Sequence, residues 1–116
     1  MDIKDIKFRA KTLALHTWAE GDLLHKNGRT YIRKDKVIFA DVDPDTVCMF
    51  TGLKDCDGKE IWEGDIVKYK DAHGERKGVI NWNEELTAFC FGYYFLLCHF
   101  PSENMVVIGN TFDGKI

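Results

Sequence analysis

The densest run of chemically capable side chains in this sequence is acidic: Asp55, Asp57, Glu60, Glu63 and Asp65. Carboxylates this close together can hold a hard divalent ion, which would make the chain a metal-dependent enzyme. Laid on an EF-hand loop, Asp55-Cys56-Asp57-Gly58 would occupy the third to sixth positions. That puts Leu53 at the first position and Gly64 at the twelfth, and neither offers a side-chain oxygen. The loop fails as an EF-hand. Gly52, Gly58 and Gly64 punctuate the same stretch, so the favoured reading is a set of tight turns whose carboxylates accept backbone amides and pair with Lys54 and Lys59.

Nucleophilic chemistry fares no better. Cys98 and His99 are neighbours, and adjacent residues of a strand point to opposite faces. His16, His25 and His73 lie in polar segments, for which solvent exposure is the default. No phosphate-binding glycine loop occurs. Cys48, Cys56, Cys90 and Cys98 form two pairs with seven residues inside each, a spacing of neither a zinc knuckle nor a redox pair. Buried or half-buried free thiols are expected, since a zinc site through Cys90, Cys98 and His99 would need a fourth convergent ligand. No catalytic residue, metal or cofactor is assigned.

The remaining chemistry is charge. Over 116 residues the net charge is −3, too acidic for wholesale coating of nucleic acid. Residues 1–36, however, hold nine Lys/Arg against five Asp/Glu, and residues 37–116 seven against fourteen. A basic face from Lys4, Lys7, Arg9, Lys11, Lys26, Arg29, Arg33, Lys34 and Lys36 is one reading; an ordinary solvated surface is the other. The candidate binding residues are Lys7, Arg9, Lys11, Arg29, Arg33, Lys54 and Lys59. Trp18, Tyr31, Trp62, Tyr69, Trp82, Tyr93 and Tyr94 either stack bases beside these lysines or fill the core, and core is expected for most.

These residues must be positioned by strands. Apolar positions recur with strand spacing, and turn signals interrupt them every few residues. Asn27-Gly28 between Leu23-Leu24 and Tyr31-Ile32 predicts a two-residue hairpin. A short strand Val37–Ala40 leads to a turn at Asp43-Pro44-Asp45, with one helical turn over Pro44–Val47 and a strand from Cys48 to Thr51. After Gly64 come five short strands: Asp65–Tyr69, Lys77–Trp82, Leu86–Phe91, Tyr93–Phe100 and Met105–Ile108. The predicted fold is mostly β: an N-terminal hairpin region (1–49) packed on a signature hairpin and small C-terminal SH3-like β-barrel (50–116). Glu20-Gly21-Asp22-Leu23-Leu24 echoes Glu63-Gly64-Asp65-Ile66-Val67, each placing Gly-Asp before an apolar strand. Both parities of Phe89–Phe100 are apolar, so that strand needs cover on two faces, from the N-terminal part or from a second copy. The longest apolar stretch, Ala88–Leu97, is too short to span a bilayer. Without a signal-peptide pattern, a cytoplasmic protein with no membrane partner is expected.

One long segment is specific. Phe50-Thr-Gly-Leu-Lys-Asp-Cys-Asp-Gly-Lys-Glu-Ile-Trp-Glu-Gly-Asp-Ile-Val67 resembles the signature of the YopX family, small proteins of bacterial phages and prophages. Ile6–Ala10 resembles the family's opening, Val42–Val47 the approach to the signature, Gly78–Trp82 the following strand and Val107–Asn110 its close, so the likeness spans nearly the whole chain. Phe50 replaces a usual tyrosine, Cys48-Met49 a common glycine-glutamine pair, and Leu13–Leu15 lacks a frequent tryptophan-aspartate. The resemblance implies a mostly β protein with a barrel-like C-terminal part, no established activity and no catalytic residues. Its structural signature positions here are Thr51, Gly52, Leu53, Asp55, Gly58, Glu63, Gly64 and Asp65. The functional expectation is a non-enzymatic accessory module of phage origin, acting in the host cytoplasm on a protein or nucleic-acid partner. The alternatives are a metal-dependent enzyme using Asp55–Asp65 and a structural homo-oligomer built through Tyr93–Phe100.

Overall fold

Asn27 and Gly28 both take positive φ, 54° and 75°, the backbone that a two-residue primed turn demands. They join strands β2 (Trp18–Lys26) and β3 (Arg29–Arg33), paired from Lys26↔Arg29 to Asp22↔Arg33. β1 (Phe8–Lys11) lies on the far side of β2, and β4 (Phe39–Asp41) on the far side of β3. β5 (Cys48–Lys54) starts against β1, with Arg9 opposite Cys48. This computed structural model describes residues 3–92 and 95–113, with the backbone alone at Lys4. It divides into two compact units, the first closing at Phe50 and the second opening at Thr51.

Strand alternation sends Ala10, Ala19, Ile32 and Val42 into the first unit's core, flanked by Phe8, Leu23, Ala40 and Val47. The chain turns into β5 through a 3-10 turn at Pro44–Thr46. The Asp43 carboxylate caps it, accepting the Asp45 N–H at 3.0 Å, and Pro44 fits the first position because no N–H is needed there. The Glu-Gly-Asp echo dissolves in three dimensions. Gly64 sits in a turn at φ 86°, whereas Gly21 lies inside β2, where a Cβ would strike the Arg33 carbonyl.

In the second unit β6 (Glu60–Trp62) runs beside the end of β5. Then β7 (Asp65–Asp71), β8 (Gly74–Asn83), β9 (Ala88–Phe91), β10 (Phe95–Leu96) and β11 (Met105–Asn110) form an antiparallel sheet in the order β10-β9-β8-β7-β11. Ile61, Val67, Tyr69, Ile80, Phe91, Leu97 and Met105 make its core. Gly78 leaves room for Phe91, whose ring lies 3.1 Å from where a Cβ would stand.

The mostly β class is what the chain adopts. No ladder among the described residues closes the five-stranded sheet into the expected SH3-like barrel. The expected strand Tyr93–Phe100 is corrected: Tyr93 and Tyr94 lie outside the described residues, only Phe95–Leu96 pairs as strand, and Leu97–His99 is a 3-10 turn. The cause is the apolar run on both parities. A strand would bury one set and expose the other, whereas a helical turn brings Leu97 and Phe100 to one side. Leu97 enters the core, and Phe100 packs edge-on against Tyr69 with centroids 5.1 Å apart. No helix among the described residues is long and apolar enough to cross a membrane.

Candidate functional site

Because side chains alternate, the first unit's sheet has a second face opposite its core. Lys7 just before β1, Arg9 and Lys11 on it, and Trp18 and Glu20 on β2 share that face. The registers carry it across to Asp22, Leu24 and Lys26 on β2, then Arg29, Tyr31 and Arg33 on β3, and Phe39 and Asp41 on β4. Six cations therefore meet three carboxylates there. Five of the seven residues expected to bind, Lys7, Arg9, Lys11, Arg29 and Arg33, are among those cations.

Local pairing organises the charges. Lys7 bridges to Glu20 at 3.0 Å, Arg29 to Asp41 at 2.8 Å and Arg33 to Asp22 at 3.3 Å. Pairs this exposed are worth at most about 1 kcal/mol each and can be re-formed around another anion. On β1 and just before it the cations lie over aromatic rings: Arg9 and Lys11 at 4.3 and 4.5 Å from the Trp18 ring, Lys7 at 4.8 Å from that of Phe50. Trp18 is thus engaged by its own strand neighbours. The β2–β4 end is open. Leu24 and Phe39 are 39% and 48% exposed there, and with Lys26, Asn27 and Tyr31 they line a shallow pocket of about 380 Å³.

The acidic stretch is used differently. Asp55 is buried, and its Oδ1 accepts the N–H groups of Asp57 and Lys59, both at 2.9 Å. Its Oδ2 reaches β11 and accepts the Val107 N–H at 2.9 Å, where the chain bulges between Val107 and Gly109. Burial pushes this carboxyl up, but the amides of Val107, Lys59 and Asp57 and the charge of Lys59 outweigh it, so it titrates below the ordinary aspartate value. Asp65, 1% exposed, accepts the Trp62 N–H at 2.7 Å and the Asn110 amide at 2.9 Å. Thr51 donates to the Ile61 carbonyl at 2.7 Å and accepts from the Leu53 N–H. Gly58 takes φ of 80° in the adjoining turn, whereas Gly52, at φ 86°, lies inside β5 and not in the turn expected of it. Gly64, also left-handed, sits within 3.4 Å of Thr111, Asn110 and Phe112 measured from a built Cβ. Glu63 stands beside it, half-buried.

A protein-family model for the YopX protein matches residues 4–114. The chain belongs to the YopX family. No curated protein matches it. The structure now says why the YopX signature reads as it does in this chain: Asp55, Gly58, Gly64 and Asp65 build two consecutive turns tied to β11 and to the segment after it, and Thr51 on β5 bonds to Ile61 between them. Lys54 and Lys59, both exposed, flank the first of these turns in the second unit, where Lys59 acts on Asp55.

The remaining candidates stay apart. Among the described residues no group of three or more His, Cys, Asp or Glu side chains comes together as a metal site. All four cysteines are free thiols. Cys48 and Cys90 are buried, but Cys56 and Cys98 are exposed, which corrects the expectation that all would be at least half-buried. Limited desolvation, then the carboxylates of Asp57 and Asp55, push the Cys56 thiol up and away from the reactive thiolate. His16, His73 and His99 are exposed; His25, also exposed, pairs with the Thr30 hydroxyl at 3.1 Å.

Of the seven aromatics offered for stacking, Trp62 and Tyr69 belong to the interior, Trp18 and Tyr31 are half-buried, and Trp82 is 45% exposed against Phe89. Sequence reasoning missed Leu24, Phe39 and Asn110. The hairpin alternation does place Leu24 with Tyr31. Phe39 needed the β3–β4 register, and nothing in the sequence links Asn110 to Asp65.

Proposed function

We propose that this YopX-family chain is a non-enzymatic binding module, a small accessory protein of phage or prophage origin that works in the bacterial cytoplasm. Its partner docks on the outer face of β1–β4. One observation carries this reading: six cations and the open Leu24-Tyr31-Phe39 pocket share one side of a single sheet. Surfaces that combine apolar anchors with a charged surround are suited to recognition. The competing metal-enzyme reading loses support because Asp55 and Asp65 already accept backbone and amide donors. Incorporating a photo-crosslinking phenylalanine analogue at Phe39 and irradiating expressing bacteria tests the proposal. Adducts at Phe39 and none at Glu84, an exposed control on the β8–β9 turn, are expected; equal yields at both would refute it. A second reading, assembly of copies through the β10 region, draws on Phe95, 62% exposed. Light scattering that finds a monomer at high concentration excludes it.

A further inference from the structure

We infer that the partner of this face is single-stranded nucleic acid, with unpaired bases stacking on Tyr31 and Phe39 and phosphates held by Lys26, Arg29 and Arg33. The inference rests on the binding-module reading and names its ligand. Tyr31 and Phe39 sit on neighbouring strands, each opposite a residue that flanks the other: Tyr31 faces Asp41, and Phe39 faces Arg33. Two rings on a diagonal of adjacent strands are within reach of one stretch of extended chain. The pocket they line is open, about 380 Å³, and shared with apolar Leu24 and with Lys26 and Asn27.

Charge favours this occupant over a protein. The chain as a whole carries more acid than base, yet at the β2–β4 end Lys26, Arg29 and Arg33 outnumber Asp22 and Asp41, whose exposed pairs with Arg33 and Arg29 can open to a phosphate. The β3–β4 connection adds Lys34 and Lys36 against Asp35, all exposed. Stacking rings set among arginines and lysines on a sheet surface are what base recognition without sequence preference requires. A duplex keeps its bases inside the stack and could use only the cations. The rings therefore select the single strand.

Fluorescence anisotropy with a labelled twelve-nucleotide oligo-dT tests this on the intact chain. Three phosphate contacts give a slope of log affinity on log salt of about −2, so binding should weaken about 20-fold between 50 and 200 mM salt. Tyr31→Leu and Phe39→Leu keep the apolar bulk and remove the ring; each should weaken binding about tenfold. Lys26→Gln should flatten the salt slope by about 0.7. Circular dichroism checks that each variant is folded, and Tyr31→Phe, which retains the ring, should bind as the parent does. A duplex of equal length should bind more weakly and be indifferent to the Leu variants. Unchanged affinity in both Leu variants, or equal binding of duplex, overturns the inference. So does absence of oligonucleotide binding at 50 mM salt. In that case adducts at Phe39 would still uphold a binding module, with a protein as its partner.

Discussion

Replacing Asp55 by Asn would test whether the YopX turn is held by one carboxylate. The side chain keeps its size and one acceptor oxygen. If that oxygen stays on the Asp57 and Lys59 amides, an NH₂ group faces the Val107 N–H, and the link to β11 is lost. An unmatched buried donor costs about 1–3 kcal/mol. Reducing two charge-assisted bonds to neutral ones adds about 1 kcal/mol. A loss of about 3 kcal/mol is therefore expected, a large part of the roughly 5–15 kcal/mol that holds a typical domain. At a urea slope of about 1.5 kcal/mol/M, the midpoint should fall by about 2 M.

Acid supplies the independent check. The folded-state value of Asp55 is depressed, so its contribution is fully present above the unfolded value, about 3.9, and is lost as pH falls through the lower folded one. The parent should lose stability below about pH 4, while Asp55→Asn should lose this component and fall less steeply. Tryptophan fluorescence follows the urea transition, since Trp62 is buried in this unit. Hydrogen exchange at the Val107 amide reports the lost bond directly. A midpoint shift under about 0.3 M, with Val107 protection intact, would show that the turn does not depend on this group. Parallel acid curves for parent and variant would refute the charge argument.

Gly21→Ala should destabilise the first unit by more than about 2 kcal/mol, because the new Cβ meets the Arg33 carbonyl. Gly28→Ala, left-handed but facing open space, should cost about 1 kcal/mol. Equal melting temperatures for the two would remove the close-approach explanation. A double-mutant cycle on Asp65→Ala and Asn110→Ala should return a coupling of about 1–3 kcal/mol, and simple additivity would deny their contact. Millimolar Ca²⁺, Mg²⁺, Mn²⁺ or Zn²⁺ should leave the melting temperature unmoved; a rise abolished by Asp57→Asn would revive the metal-enzyme reading.

Local rules made much of this protein legible. Asn27-Gly28 announced its hairpin because few residue pairs tolerate two positive φ angles in succession, and Pro44 after Asp43 announced a helical turn for an equally local reason. The spacing of the YopX signature identified the family, and Gly58 and Gly64 marked turns, though Gly52 lies inside β5. Alternation within β1 and within β3 put Lys7, Arg9 and Lys11 on one side of their strand, and Arg29 and Arg33 on one side of theirs. Whether those two sets share a face was decided only by the pairing of β1 and β3 with β2, since register is a relation between strands. The same holds for Phe39 beside Tyr31, for Asp55 reaching Val107, and for Asp65 meeting Asn110 across 45 residues of chain. The turn at Leu97–His99 escaped sequence reading for a related reason. A run apolar on both parities fits a strand covered on two sides or a helical turn on one, and only the surrounding core, with Tyr69 waiting for Phe100, chooses between them.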